Sequence, residues 1–179
     1  MRAFVSLLIC ATALLAGEHS GQRAPGFALP DMNLKIYDLA DYRGKVLLLE
    51  FFQTDCPHCA AFAATVKQVK EKYGDKIAVL AVANSPHDNA NSVNNYIAAN
   101  KIDYPVVFDM CQMEYSYLRK PTIDNPYIFI IDGNGTIRED VGFSAFTQDV
   151  FEGHGLFPIL DRVLNANASM AGKPMGTKK

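Results

Sequence analysis

Apolar positions along this chain fall into runs that alternate between the spacing of buried strands and that of one-faced helices. Val46–Phe52 reads Val-Leu-Leu-Leu-Glu-Phe-Phe, apolar on both faces, which predicts a central strand covered by helices. Ala60, Phe62, Ala63, Val66, Val69 and Tyr73 then recur at helical spacing, and Gly74 closes that helix. Residues 77–83 predict a second buried strand, 89–100 a helix with Val93, Tyr96 and Ile97 facing inward, and 106–108 a short strand. Residues 127–132 and 136–141 predict a hairpin around the turn Asp132-Gly133-Asn134-Gly135. A closing helix over 147–165 follows, with breaks expected at 153–155 and at Pro158. Near the start, 27–31 and 33–37 predict two short strands joined by a turn. The order predicts an α/β fold, a mixed central β-sheet flanked by helices, with a short N-terminal β-hairpin.

The ends change this picture in composition. Residues 1–17 have the form of a secretory signal peptide: Met1-Arg2, then an apolar stretch from Ala3 to Ala16, short of the roughly twenty residues of a membrane span. Cleavage is expected after Ala16 or Gly17, although Leu14 is larger than the small residue preferred there; an uncleaved anchor is the alternative. Residues 18–26 are polar and Gly-containing and read as a linker, 27–165 as one domain, and 166–179 as a disordered tail. A length of 179 residues gives room for one domain and a sizeable core. The net charge of −2 and the lack of a basic stripe argue against nucleic acid as a partner.

Cys56-Pro57-His58-Cys59 lies between the central strand and the helix after it. Two cysteines so spaced at a helix start can close a small disulfide ring, and the first meets unpaired backbone N–H groups that stabilise a thiolate. The pair therefore reads as a redox-active dithiol, with half of a zinc site or a structural disulfide as the alternatives; a zinc site would need further ligands with paired spacing. Of the four cysteines, Cys10 is expected to leave with the signal, and Cys56, Cys59 and Cys111 remain. That odd number fits a catalytic pair plus one extra thiol better than a structural framework. Cys56 is the candidate nucleophile and Cys59 the resolving thiol. His58 can donate a hydrogen bond or place positive charge near the Cys56 sulfur. Glu50, the only charge in its strand, should have a raised pKa if buried, and could exchange protons with Cys59 through water.

Ala24-Pro25-Gly26-Phe27, Arg43-Gly44-Lys45, the Cys-x-x-Cys pair, residues 104–109 and residues 126–133 together resemble the thioredoxin superfamily in its secreted TlpA/ResA-like branch, over about residues 24–163. The tetrapeptide with Pro57-His58, and Glu50 six residues before Cys56, are similar instead to the site of DsbA, a periplasmic thiol oxidase. Phe62 stands where TlpA-like reductases carry a glutamate. The resemblance implies a thioredoxin-like fold and an exported thiol–disulfide oxidoreductase of the periplasm or the extracytoplasmic face of the membrane, without cofactor or metal. It also implies protein thiols or disulfides as partners and a membrane redox partner to recharge the dithiol. The oxidase or isomerase direction is slightly favoured over the reductase direction. Pro126 matches the superfamily's cis-proline, where substrate pairs, with Pro121 as a competitor; Asn125 would then sit beside the sulfurs. The alternatives are a thiol peroxidase of the peroxiredoxin group, against which Leu49 and Gln53 stand where that pattern has proline and threonine, and a copper- or metal-binding module.

Overall fold

The computed structural model describes residues 17–109, 113–119 and 124–171. The expectations for the signal peptide before Gly17, for Cys10, Cys111 and Pro121, and for the tail after Ala171 lie outside them. Two short strands, β1 (Ala28–Pro30) and β2 (Ile36–Asp38), form an antiparallel hairpin. The main sheet has the order β5-β4-β3-β6-β7. Its strands are β3 (Val46–Phe52), β4 (Ile77–Ala83), β5 (Val106–Phe108), β6 (Tyr127–Ile131) and β7 (Ile137–Gly142). β3 pairs parallel with β4 and antiparallel with β6, so Glu50 sits between Ala81 and Ile128 in the central strand, towards its C-terminal end. This is the expected mixed α/β sandwich.

Alternation along β3 divides the core in two. Val46, Leu48 and Phe52 face α1 (Pro57–Tyr73), α2 (Ala90–Asn100) and α4 (Leu156–Ala171). Leu47, Leu49 and Phe51 face the N-terminal hairpin and the short π-helical turn Glu114–Leu118, where Tyr117 and Phe27 fill the space. Helix ends are set by local chemistry. Asn89 and Ser92 form a capping box at the start of α2, and Lys101 ends it in the left-handed region. Gly153, at φ +98°, breaks the chain between α3 (Gln148–Phe151) and α4.

Three expectations change. Pro158 does not break α4: it is the third residue of that helix, in the first turn, where a missing N–H costs no intrahelical bond. The helix also runs past 165 to Ala171, and Asn167 ties it down by accepting from Gly133 N and donating to the Gly44 carbonyl. Residues 18–26 are not a free linker. Gly21 N donates to Ile137 O, Gln22 O accepts from Ile137 N, and Ala24 N donates to Gly135 O, so the segment lies along the outer edge of β7. At the opposite edge, Asp31 bridges Val107 of β5. Both sheet edges are thereby covered, which removes unpaired ladder groups that would otherwise template association. No helix among the described residues is long and apolar enough to cross a membrane.

Candidate active site

β3 delivers the dithiol to the end of the sheet. Cys56 is the N-cap of α1, and its Sγ accepts the Cys59 backbone N–H at 3.2 Å. Pro57 opens the helix, where its fixed φ suits the first turn and its missing N–H is no loss. Cys56 is half-buried and Cys59 buried, both as free thiols. The Cys56 thiol is lowered to about 6, first by the hydrogen bond from Cys59 and against the opposing effect of burial. Backbone N–H groups of Cys59 and His58 add to it, and the charge of His58 comes last. Cys59 is driven the other way, far above the ordinary thiol range, by burial first and then by its bond to Cys56. One sulfur is thus a nucleophile at neutral pH, and the other holds its proton.

Of the two roles expected of His58, its charge does favour the Cys56 thiolate, as the smallest contribution, while the ring hydrogen bond is absent. Its exposed ring stacks on Phe143 with centroids 3.9 Å apart and planes 21° from parallel, and no ring hydrogen bond to the Cys56 sulfur is made. It acts on Cys56 chiefly through its backbone N–H. In the reduced protein, the pH profile of Cys56 alkylation should have its midpoint near 6. Cys59→Ala is expected to move that midpoint up, and His58→Ala to move it up by less.

Glu50 lies where the sequence suggests, 2 % exposed beneath α1. Burial, and secondarily the Cys56 sulfur, push its carboxyl up to about 8. In return Glu50 helps raise Cys59. Tyr96 closes the space beside it: its ring stacks on Phe52 at 4.7 Å, and its hydroxyl is raised by burial and then by Glu50. The Tyr96 hydroxyl and both polar atoms of the Asn84 amide are buried without a protein hydrogen bond. Neither residue is legible from sequence as part of the site, since Tyr96 reads there as a helix-packing aromatic and Asn84 as the residue after a strand.

The Asn125–Pro126 peptide is cis, as the resemblance implies. It brings the Asn125 carbonyl to 3.6 Å from Cys56 Sγ, where a thiol donates to it and a thiolate cannot. The Asn125 side-chain amide is buried without a protein hydrogen bond. Phe143 fixes this loop, its N–H shared between Asp124 O at 3.2 Å and Pro126 O at 3.0 Å. Gly142 lets the chain approach: a Cβ there would lie 2.8 Å from the Tyr127 ring. Phe143 is the residue that sequence reasoning missed most plainly, because its role depends on two contacts distant in the chain. Cys56, Cys59, Glu50, Asn125 and Pro126 are thus gathered at one end of the sheet, with Pro57 at the helix start and His58 on the outer rim. Among the described residues, no group of three or more His, Cys, Asp or Glu side chains is placed to hold a metal ion.

The AhpC/TSA family profile matches residues 20–140. The chain is 27 % identical over 139 residues to the thioredoxin-like protein YneN of Bacillus subtilis, covering 76 % of this chain and 78 % of that one. It is 32 % identical over 113 residues to the thiol–disulfide oxidoreductase ResA of the same organism, covering 58 % of this chain and 62 % of that one. Among solved structures it is similar to a putative thiol:disulfide interchange protein DsbE from Chlorobium tepidum, with a TM-score of 0.65 and 27 % identity. That match covers 78 % of this chain and 97 % of the other.

Proposed function

Because the chain belongs to the AhpC/TSA family, we propose that Cys56 and Cys59 exchange disulfides with protein thiols outside the cytoplasm, in the oxidising or isomerising direction. Thiol–disulfide exchange is named for the ResA relative and for the similar DsbE structure. The observation that carries the reading is the asymmetry of the two sulfurs, one lowered to about 6 at a helix N-terminus and one buried and raised. Export rests on the signal-like form of residues 1–17.

In the oxidising direction a substrate thiolate attacks Cys56 Sγ of the Cys56–Cys59 disulfide. The S–S bond breaks and Cys59 leaves with the electron pair, taking a proton from Glu50. A second substrate thiolate then attacks the substrate sulfur of the mixed disulfide, and Cys56 departs as a stabilised thiolate. Substrate leaves oxidised and the dithiol reduced. Glu50 changes with these states. Part of its raised pKa comes from the Cys56 sulfur, whose negative charge vanishes once Cys56 is bonded to substrate. Glu50 then ionises more readily and can take the Cys59 proton, so the resolving thiol is activated when a mixed disulfide waits to be resolved. The Asn125 carbonyl, 3.6 Å from Cys56 Sγ, supports an extended substrate chain lying beside this loop.

The quality of Cys56 as a leaving group favours this direction. In dithiols of this kind, a nucleophilic thiol at about 7 accompanies a potential of about −270 mV, and one at about 3.5 a potential of about −120 mV. A thiol near 6 falls between them, at roughly −230 to −200 mV, within the range where glutathione buffers can both charge and discharge the pair. That position suits isomerisation or mild oxidation better than irreversible reduction. The test is multiple turnover: the oxidised chain with glutathione buffer and a reduced, unfolded disulfide protein should restore that protein's native disulfides. Stoichiometric reduction of native disulfides without any reoxidation would overturn the direction.

A further inference from the structure

Gly17 N donates to Glu139 Oε1 at 2.7 Å, and the other oxygen of that carboxylate accepts from Arg162 Nη2 at 2.8 Å. The neighbouring Asp140 accepts at Oδ1 from His19 N, and at Oδ2 from both His19 Nδ1 and the Tyr127 hydroxyl. Glu139 and Asp140 are 3 % and 5 % exposed. Two adjacent carboxylates are therefore buried at the rim of the sheet, with the Arg162 guanidinium bonded to the first. Burying a pair of carboxylates is costly, and each further positive charge that reaches them offsets part of that cost. The Gly17 nitrogen is a place where such a charge can arrive.

Gly17 is also fixed sterically. A Cβ on it would overlap both Asp140 Oδ1 and the Asp140 carbonyl oxygen, so only glycine fits the approach. After it, the chain stays bonded to β7 through Ser20 Oγ to Arg138 O and Gly21 N to Ile137 O. The edge segment thus starts one residue beyond Ala16, the last residue of the signal-like stretch.

We propose that the chain is cleaved between Ala16 and Gly17, and that the Gly17 ammonium so formed pairs with buried Glu139 and locks the N-terminal segment along β7. The proposal rests on the reading of the protein as exported. The step is hydrolysis by a membrane leader peptidase: water adds hydroxyl to the Ala16 carbonyl, which becomes a carboxylate, and the Gly17 nitrogen leaves as an amine that is protonated. Processing then replaces an amide donor with a cation at a nitrogen already aimed at Glu139 Oε1. The charged and titratable groups around it are Glu18 and His19 on the segment, Tyr127 on β6, Arg138, Glu139 and Asp140 on β7, and Arg162 on α4. Arg138 is engaged by Asp132. Through Tyr127, which follows Pro126, the same cluster supports the strand that carries the substrate-facing loop.

Two measurements test this. The full chain, exported from a bacterium on its own leader, is weighed intact. The mass should be that of residues 17–179. A chain that keeps Met1 or begins at Leu14, after the small-x-small sequence Ala11-Thr12-Ala13, would overturn the proposal. Second, the chain beginning at Gly17 is compared in equilibrium unfolding with one carrying a single extra serine before Gly17, each with and without Glu139→Gln. The extension should weaken folding roughly tenfold in the native background and have little effect in the Gln background. Equal losses in both would overturn the ion pair. Disulfide exchange by the same preparations reports separately: an unprocessed chain that still exchanges disulfides refutes this inference alone, whereas a processed chain that exchanges none refutes the activity.

Discussion

Cys56→Ser is expected to abolish disulfide exchange, with turnover falling by at least on the order of a thousandfold. Cys59→Ser should instead accumulate a covalent complex with substrate. The difference follows from position. Cys56 is the half-buried N-cap whose sulfur receives the Cys59 N–H, and its thiol is lowered to about 6. It can attack, and it can be attacked. Cys59 is wholly buried with its proton held, so its use is to resolve from within. Without it, a mixed disulfide at Cys56 waits for an external thiol. Non-reducing electrophoresis and mass spectrometry of the two variants, reduced and mixed with an unfolded protein that carries disulfides, read this directly: the Cys56 thiolate of Cys59→Ser attacks a substrate disulfide and the freed substrate thiolate leaves. Equal trapping by both variants would remove the assigned order of attack.

Glu50→Gln should stabilise the reduced protein at alkaline pH while slowing resolution. The carboxyl is raised from its ordinary 4.5 to about 8, chiefly by burial. The folded state therefore binds a proton that the unfolded state releases between those two values. Its stabilising contribution is complete below about 4.5, is lost as pH rises towards 8, and is gone above it. The loss is on the order of 5 kcal/mol, at about 1.4 kcal/mol per pH unit. Glutamine avoids the charge but buries an amide that needs partners, which costs about 1–3 kcal/mol. The net gain above pH 8 should be roughly 3 kcal/mol, whereas at pH 4.5 only the amide's cost of about 1–3 kcal/mol is felt. Urea titrations of the reduced protein at both pH values measure it. Resolution of a preformed mixed disulfide should slow about a hundredfold near neutral pH, as loss of a general base predicts. A stability change of the same sign and size at both pH values would show that Glu50 does not ionise within the fold.

Local pattern and one short motif make much of the fold and of the site legible in the sequence. Seven buried positions of β3, interrupted by a single carboxylate, mark the centre of the sheet and Glu50 together. Cys-x-x-Cys at the end of that strand marks the helix start, and Pro57 belongs there for the same reason. Asn125 and Pro126 come from resemblance rather than from any pattern in the chain. What cannot be read depends on contacts between distant residues. The segment after Gly17 is polar and glycine-containing, as a linker would be, yet its hydrogen bonds go to β7 more than a hundred residues later. Phe143 reads as an ordinary aromatic after a strand, although it carries the His58 ring and the Pro126 loop. The end of α4 is hidden because small polar residues suggest a tail, whereas Asn167 is anchored by Gly44 and Gly133.

The decisive quantity is the reduction potential of Cys56–Cys59. The chain beginning at Gly17 is equilibrated in glutathione buffers of defined ratio near neutral pH, quenched, and its dithiol fraction counted by alkylation and mass. A single two-electron transition at roughly −230 to −200 mV is the expected result, matching a Cys56 thiol near 6 and a pair that both gives and takes disulfides. A transition at or below about −270 mV would contradict it and make the protein a reductase.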